Sequence, residues 1–79
     1  MENKSYLVFI EELVKGRKTP ICHIKNRAGE HLGLITFYPA WRHFVFEPEA
    51  DTLFDAKCLA EITEQICKMQ FTWQESFKK

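Results

Sequence analysis

His31-Leu32-Gly33-Leu34-Ile35-Thr36-Phe37-Tyr38-Pro39-Ala40-Trp41-Arg42-His43-Phe44-Val45-Phe46-Glu47 is the stretch on which the fold turns. Residues His31 to Tyr38 and Trp41 to Glu47 are two runs of aromatic and branched side chains split by Pro39-Ala40. Such side chains fit a pleated, half-buried surface, and two such runs around a short break predict a β-hairpin. Pro39 suits the second position of a type I turn. That turn fits a two-residue hairpin loop poorly, so the register stays open. With Tyr38 set opposite Trp41, alternation sorts the side chains into two faces. One carries Gly33, Ile35, Phe37, Phe44 and Phe46, with Arg42 at its edge, and reads as a core surface. The other carries Leu32, Leu34, Thr36, Tyr38, Trp41, His43 and Val45, and is still apolar enough to need covering.

Working outward, Tyr6 to Leu13 is rich in branched and aromatic residues and is expected to form a first strand. Glu11, Glu12, Leu13 and Lys15 are also good helix formers, so a short helix ending at Gly16 competes. Thr19 to Lys25 alternates loosely and suggests a second strand. Asn26-Arg27-Ala28-Gly29-Glu30 follows it as a turn. Beyond the hairpin, Glu47 to Thr52 is an acidic loop and Asp55 a helix N-cap. From there Leu59, Ile62, Ile66, Met69 and Trp73 recur at spacings of three, four, three and four. That is one apolar stripe, with Glu61, Glu64, Gln65 and Lys68 outside it. The expected fold is α+β: a small antiparallel meander of three or four strands packed by one C-terminal amphipathic helix, a single domain over residues 1–79. One helix covers one face of a sheet, which leaves the other for self-association or a ligand.

Composition narrows the classes. A chain of 79 residues that is 46% hydrophobic with three Gly and three Pro is a folded protein, not a disordered one. Zero net charge argues against a cationic nucleic-acid coat. The longest apolar run, Tyr6 to Ile10, stops at Glu11-Glu12, too short for a membrane span or a signal-peptide core. Cys22, Cys58 and Cys67 make an odd set without a CxxC pair, so reduced thiols and a cytoplasmic location are expected.

The zero net charge hides a segregation. Residues 15–43 hold six basic residues against the single acid Glu30, whereas 44–79 hold seven acids against four lysines. The basic segment is interleaved with Tyr38, Trp41 and Phe44, the ingredients of a phosphate-plus-base site. In that reading Arg42 supplies paired donors to phosphate and Trp41 or Tyr38 stacks on a base, with Lys18, Lys25 and His43 as supporting charges. Aromatics at strand spacing are more often core, however, and surface lysines are more often simply solvated. Trp41 closing the hairpin end, with Arg42 stacked on it or paired with Glu49, is the structural alternative.

Catalytic and metal constellations find little support. Cys22, His23, His31 and His43 match no structural zinc spacing, and Cys22 and His23 would point to opposite faces of a strand. Cys58 and Cys67, nine apart on one helix, cannot bridge or share an ion. Ser5 and Ser76 lie near the termini, and Cys22 beside His23 in sequence is not adjacency in space. Glu47, Glu49, Asp51 and Asp55 read as dipole compensation before a helix. No Gly-rich phosphate loop is present. No enzyme activity, cofactor or metal is expected.

Leu32-Gly33, Ile35, Tyr38, Trp41-Arg42, Phe44, Phe46 and Pro48, then Thr52, Phe54, Cys58-Leu59 and Ile62, form a familiar pattern. It resembles a family of short uncharacterised proteins encoded by tailed phages and bacterial mobile elements. Lys18-Thr19 also fits, so the likeness spans residues 18 to 66, with Trp41-Arg42 as its most specific part. Phe37 and Phe44 stand where Trp and Tyr are common in that family, swaps that keep packing and remove a polar tip. The resemblance implies a small accessory protein of a phage-carrying cell, acting by binding and directed against host defence. The resulting expectation is a non-catalytic, homo-oligomeric binding protein that takes an anionic ligand such as a nucleotide. The alternatives are a module that blocks a host or phage protein, and a weak binder of single-stranded nucleic acid.

Overall fold

A computed structural model describes residues 6–76. Strands β1 (Leu7–Glu12), β2 (Ile21–Asn26), β3 (His31–Tyr38) and β4 (His43–Pro48) form one antiparallel sheet in chain order, followed by helix α1 (Ala56–Glu75). This is the expected α+β meander with a single C-terminal helix. Among the described residues no helix is long and apolar enough to cross a membrane. The first segment is a strand because period-two burial outweighs helix propensity there. Leu7 and Phe9 turn to the core while Val8 and Ile10 turn away, and β2 supplies the backbone partners.

Two turns set the hairpins. At the β2–β3 turn the buried Asn26 side chain accepts the N–H groups of Ala28 and Glu30 (2.9 and 3.0 Å) and donates to the Glu30 carboxylate (2.7 Å). Gly29 closes this turn at φ 92°, where a glycine is favoured. At the β3–β4 turn, Pro39 to Arg42 form a four-residue loop in which the Tyr38 carbonyl accepts the N–H groups of both Trp41 and Arg42. Tyr38 therefore pairs with His43, not with Trp41. The two-residue slip does not itself exchange the two faces, because side-chain direction repeats every two residues. Arg42 adopts φ 57°, a left-handed conformation for a residue with a side chain.

The core lies between one sheet face and α1. Cys22, Ile24 and Ile35 are fully buried, joined by Leu7, Phe44, Ile62 and Met69. Two details of the helix differ from its sequence pattern. Leu59 is 46% exposed, and Cys58 packs against the core in its place. Gln65 is buried between the levels of Ile62 and Met69, because its Nε2 donates to the Glu11 carboxylate at 2.9 Å and so needs no water. A second glutamine ties α1 to the sheet. Gln70 accepts the Phe44 N–H through Oε1 (2.9 Å) and donates through Nε2 to the Arg42 carbonyl (3.2 Å). Asp55 caps the helix by accepting the Cys58 N–H, which lowers its carboxyl below the ordinary value.

One irregularity reshapes β3. Ile24 pairs with Gly33 but Lys25 pairs with His31, so Leu32 is an extra residue, a β-bulge. Strict alternation would put His31 on the core side with Gly33 and Ile35. The bulge reverses this: Leu32, expected on the outer face, packs against the core, and His31 emerges on the outer face. Gly33 beside it is crowded, since a Cβ there would lie 2.7 Å from the Glu47 carbonyl oxygen and 2.9 Å from the Phe46 ring.

Candidate functional site

The sheet face away from α1 has no covering element among the described residues. Its register lays out cross-strand rows: Val8–Lys25–His31, Ile10–His23–Leu34–Glu47, Glu12–Ile21, Thr36–Val45 and Tyr38–His43. Ile10, Ile21, Leu34 and Val45 occupy adjoining diagonal positions, so an apolar band zigzags across all four strands. Polar groups flank it, and Glu47 accepts from Thr36 Oγ1 at 3.1 Å.

At one end of this face stands an aromatic corner. Tyr38 and Trp41 meet edge to face, with ring centroids 4.9 Å apart, and His43 Nδ1 lies 2.6 Å from the Trp41 carbonyl oxygen, to which it donates. The left-handed turn at Arg42 sends its side chain the other way. Its guanidinium sits 5.5 Å from the Trp73 ring centroid on the helix side, where Trp73 also packs against Phe37. Trp41 and Arg42, adjacent in sequence, thus serve opposite sides of the sheet.

The remaining candidate cations are dispersed. Lys18 lies in the β1–β2 loop, on the rim of a groove of about 250 Å³ that Glu11, Met69 and Trp73 also line. Lys25 is on the open face but pairs across from His31, seven residues along β3 from Tyr38 and so roughly 20 Å from the aromatic corner. Of the six residues singled out as ligand contacts, Tyr38, Trp41 and His43 come together; Arg42, Lys18 and Lys25 do not join them. Lys18, Lys25 and Arg42, close in the basic segment of the sequence, thus lie apart in space.

The acidic loop also disperses. Glu47 takes Thr36, Glu49 lies 2.9 Å from His31 Nδ1, and Asp55 caps the helix. The thiols are unpaired. Cys22 is buried in the core, and burial, reinforced by the charge of Glu11, pushes its pKa up to about 11. Cys58 is also raised, first by desolvation, and Cys67 is exposed. Neither raised thiol is a ready nucleophile. A second groove, of about 540 Å³, opens at the start of α1 between Tyr6, Leu53, Phe54 and Cys58.

The open face carries one arrangement that sequence reasoning missed. Glu12, His23, His31 and Glu49 stand in a hydrogen-bonded row across the sheet. No local spacing announces it. Its members are spread over 38 positions, and only the bulge at Leu32 brings His31 to that side. Among the described residues no group of three or more His, Cys, Asp or Glu side chains converges as a metal site. Compared with known proteins, the chain matches no family model, no curated protein and no solved structure.

Proposed function

We propose that this chain is a non-catalytic binding protein whose working surface is the open face of its sheet, and that this face closes against a second copy of the chain. One observation carries the reading. On that face Val8, Ile10, Tyr38 and Trp41 are 39%, 44%, 45% and 66% exposed, with Ile21, Leu34 and Val45 half-buried beside them. A contiguous apolar band with a polar surround is the signature of an interaction surface. The charge pattern suits a copy of itself. A two-fold arrangement that sets Lys25 of one copy against Glu12 or Glu47 of the other pairs opposite charges across the seam.

A nucleotide is the second reading, favoured by the exposed Tyr38–Trp41 pair. In that reading it stacks on the two rings at the seam, and its phosphate must be met by cations other than Arg42 of the same chain. The resemblance of residues 18 to 66 to phage and mobile-element proteins supports a setting in the host cytoplasm and a role against defence systems.

Sedimentation velocity over a range of concentrations tests the proposal. Wild type forms a dimer, and Leu34→Glu, which places a charge in the middle of the band without touching the core, stays monomeric. A wild-type chain that remains monomeric at every concentration overturns the self-association. Native mass spectra with a nucleotide panel test the second reading, which requires a bound mass that Trp41→Ala removes.

A further inference from the structure

Among the described residues the border of β1 away from β2 pairs with no strand. Asn26 directs its backbone N–H and C=O into the β2–β3 turn, where they meet Glu30 and Gly29. Asn26 and Leu7 are therefore a non-hydrogen-bonded pair. By alternation so are Ile24 with Phe9 and Cys22 with Glu11. Phe9 and Glu11 thus point their N–H and C=O groups outward along the border. Strand β1 pairs with β2 without a shift and contains no proline, lysine or bulge, the usual guards of an edge. Its two acids are engaged elsewhere: Glu11 accepts from Gln65, and Glu12 lies 2.8 Å from His23.

A groove of about 370 Å³ runs beside this border, between β1 and α1, lined by Leu7, Phe9, Glu61, Glu64, Gln65 and Lys68. Its sheet wall is apolar, through Leu7 and the half-buried Phe9, and its helix wall is charged. Glu61, Glu64 and the adjoining Glu11 stand against the single base Lys68. These two features set the chemistry of the occupant. Outward backbone groups are met by another extended backbone, and every second side chain of the added strand drops into the groove. An apolar side chain there packs on Phe9. Basic side chains two residues to either side reach the acids.

We infer that the β1 border is a strand-addition site for an extended segment of another protein, with the order basic–x–apolar–x–basic. A second copy of this chain competes for the same border, but the strand it brings is Leu7–Glu12, which carries two acids and no base. The acidic wall selects the basic segment instead. The groove lies on the helix side of the sheet and shares no residue with the apolar band of the open face, so it is present in the single chain and in the proposed dimer alike.

The test uses the synthetic peptide acetyl-Lys-Thr-Val-Thr-Arg-Thr-amide, added to the full chain and followed by amide NMR and hydrogen exchange. Bound antiparallel, its valine exchanges both backbone bonds with Phe9. The expected result is saturable binding, with slowed exchange at the Phe9 and Glu11 amides and far less change at Ile10, whose backbone already faces β2. Methylating the valine nitrogen weakens binding at least ~10-fold. Glu64→Lys, at an exposed position, weakens it by about 3–10-fold. Glutamate in place of both basic residues of the peptide abolishes it. Leu34→Glu binds the peptide as wild type does, which separates a failure of this site from a failure of self-association. The inference is overturned if Phe9 and Glu11 stay unprotected at millimolar peptide, if the methylated or acidic peptide binds equally well, or if the shifts fall on Leu34 and Trp41. It is also overturned if both amides are protected without peptide as protein concentration rises, since a second copy then holds the border. Reading the amides of the wild-type chain keeps the test decisive even where a variant fails to fold.

Discussion

Replacing Gly33 with alanine probes how closely β4 lies against β3 at the bulge. A Cβ at this position would stand 2.7 Å from the Glu47 carbonyl oxygen, 2.9 Å from Phe46 Cε1 and 3.0 Å from Pro48 Cα. Unbonded carbon atoms settle at about 3.5–4.0 Å, so β4 must withdraw by roughly 0.5–1 Å. Turning the Phe46 ring does not relieve this, because two of the three obstacles are backbone, and the ring is itself set edge to face on Phe54 at 5.2 Å. Overpacking of this kind costs about 1–3 kcal/mol. Gly33 also sits at φ 158°, which alanine adopts only with strain, so the usual gain from restricting the unfolded chain is not recovered here. A loss of about 1–3 kcal/mol corresponds, at about 4–8 °C per kcal/mol for a domain of this size, to a fall in Tm of roughly 4–24 °C. Thermal melts followed by circular dichroism measure it, and Phe46→Leu in the Gly33→Ala background should recover only part of the loss. A Gly33→Ala protein that melts at or above the wild-type temperature refutes the close-approach argument.

Two further outcomes follow from the buried polar and thiol groups. Gln70→Ala removes both bonds that hold α1 to the start of β4 and should cost about 1–2 kcal/mol in urea unfolding, with faster amide exchange at Phe44; an unchanged midpoint would sink the clamp. Cys22 keeps its proton in the folded state up to about 11, against 9.0 for an ordinary thiol, so its contribution is intact below pH 9 and is lost as pH climbs toward 11. At roughly 1.4 kcal/mol per unit the full loss approaches about 3 kcal/mol. Urea midpoints across that range should fall for wild type and flatten in Cys22→Ala, and identical slopes would refute the assignment.

The hairpin was legible because period-two alternation survives an error in the loop. Pairing Tyr38 with Trp41 or with His43 gives the same faces, since the two registers differ by an even number. The strand at β1 was legible only as one of two options, as Glu11 and Glu12 suit either state and the decision came from pairing with β2. What alternation could not reveal was the odd insertion at Leu32, where one unpaired residue exchanged the sides of Leu32 and His31. Hydropathy likewise misplaced Gln65, whose partner Glu11 is 54 residues away. Of the site, the aromatic corner was readable from adjacency. The separation of Trp41 from Arg42 was not, because it depends on one left-handed backbone angle.

The Gln70 clamp also bears on how sheets of this protein can grow. Glu49 N–H donates to the Leu32 carbonyl, which makes that a hydrogen-bonded pair. By alternation the backbone groups of Phe44, Phe46 and Pro48 then face the outer edge of β4. Gln70 occupies the Phe44 donor and Pro48 has none, so among the described residues of β4 only Phe46 still offers an N–H there. On the far side, Asn26 directs its backbone at the β2–β3 turn, so its partner strand β1 turns the N–H and C=O groups of Phe9 and Glu11 outward. One border of the sheet is therefore poor in donors, with a single free N–H on β4, and the other offers both donors and acceptors. A ribbon that adds copies head to tail needs both borders at every step, and here each step would meet the donor-poor one. Strand pairing between two copies is therefore favoured between their β1 borders, an arrangement that consumes both.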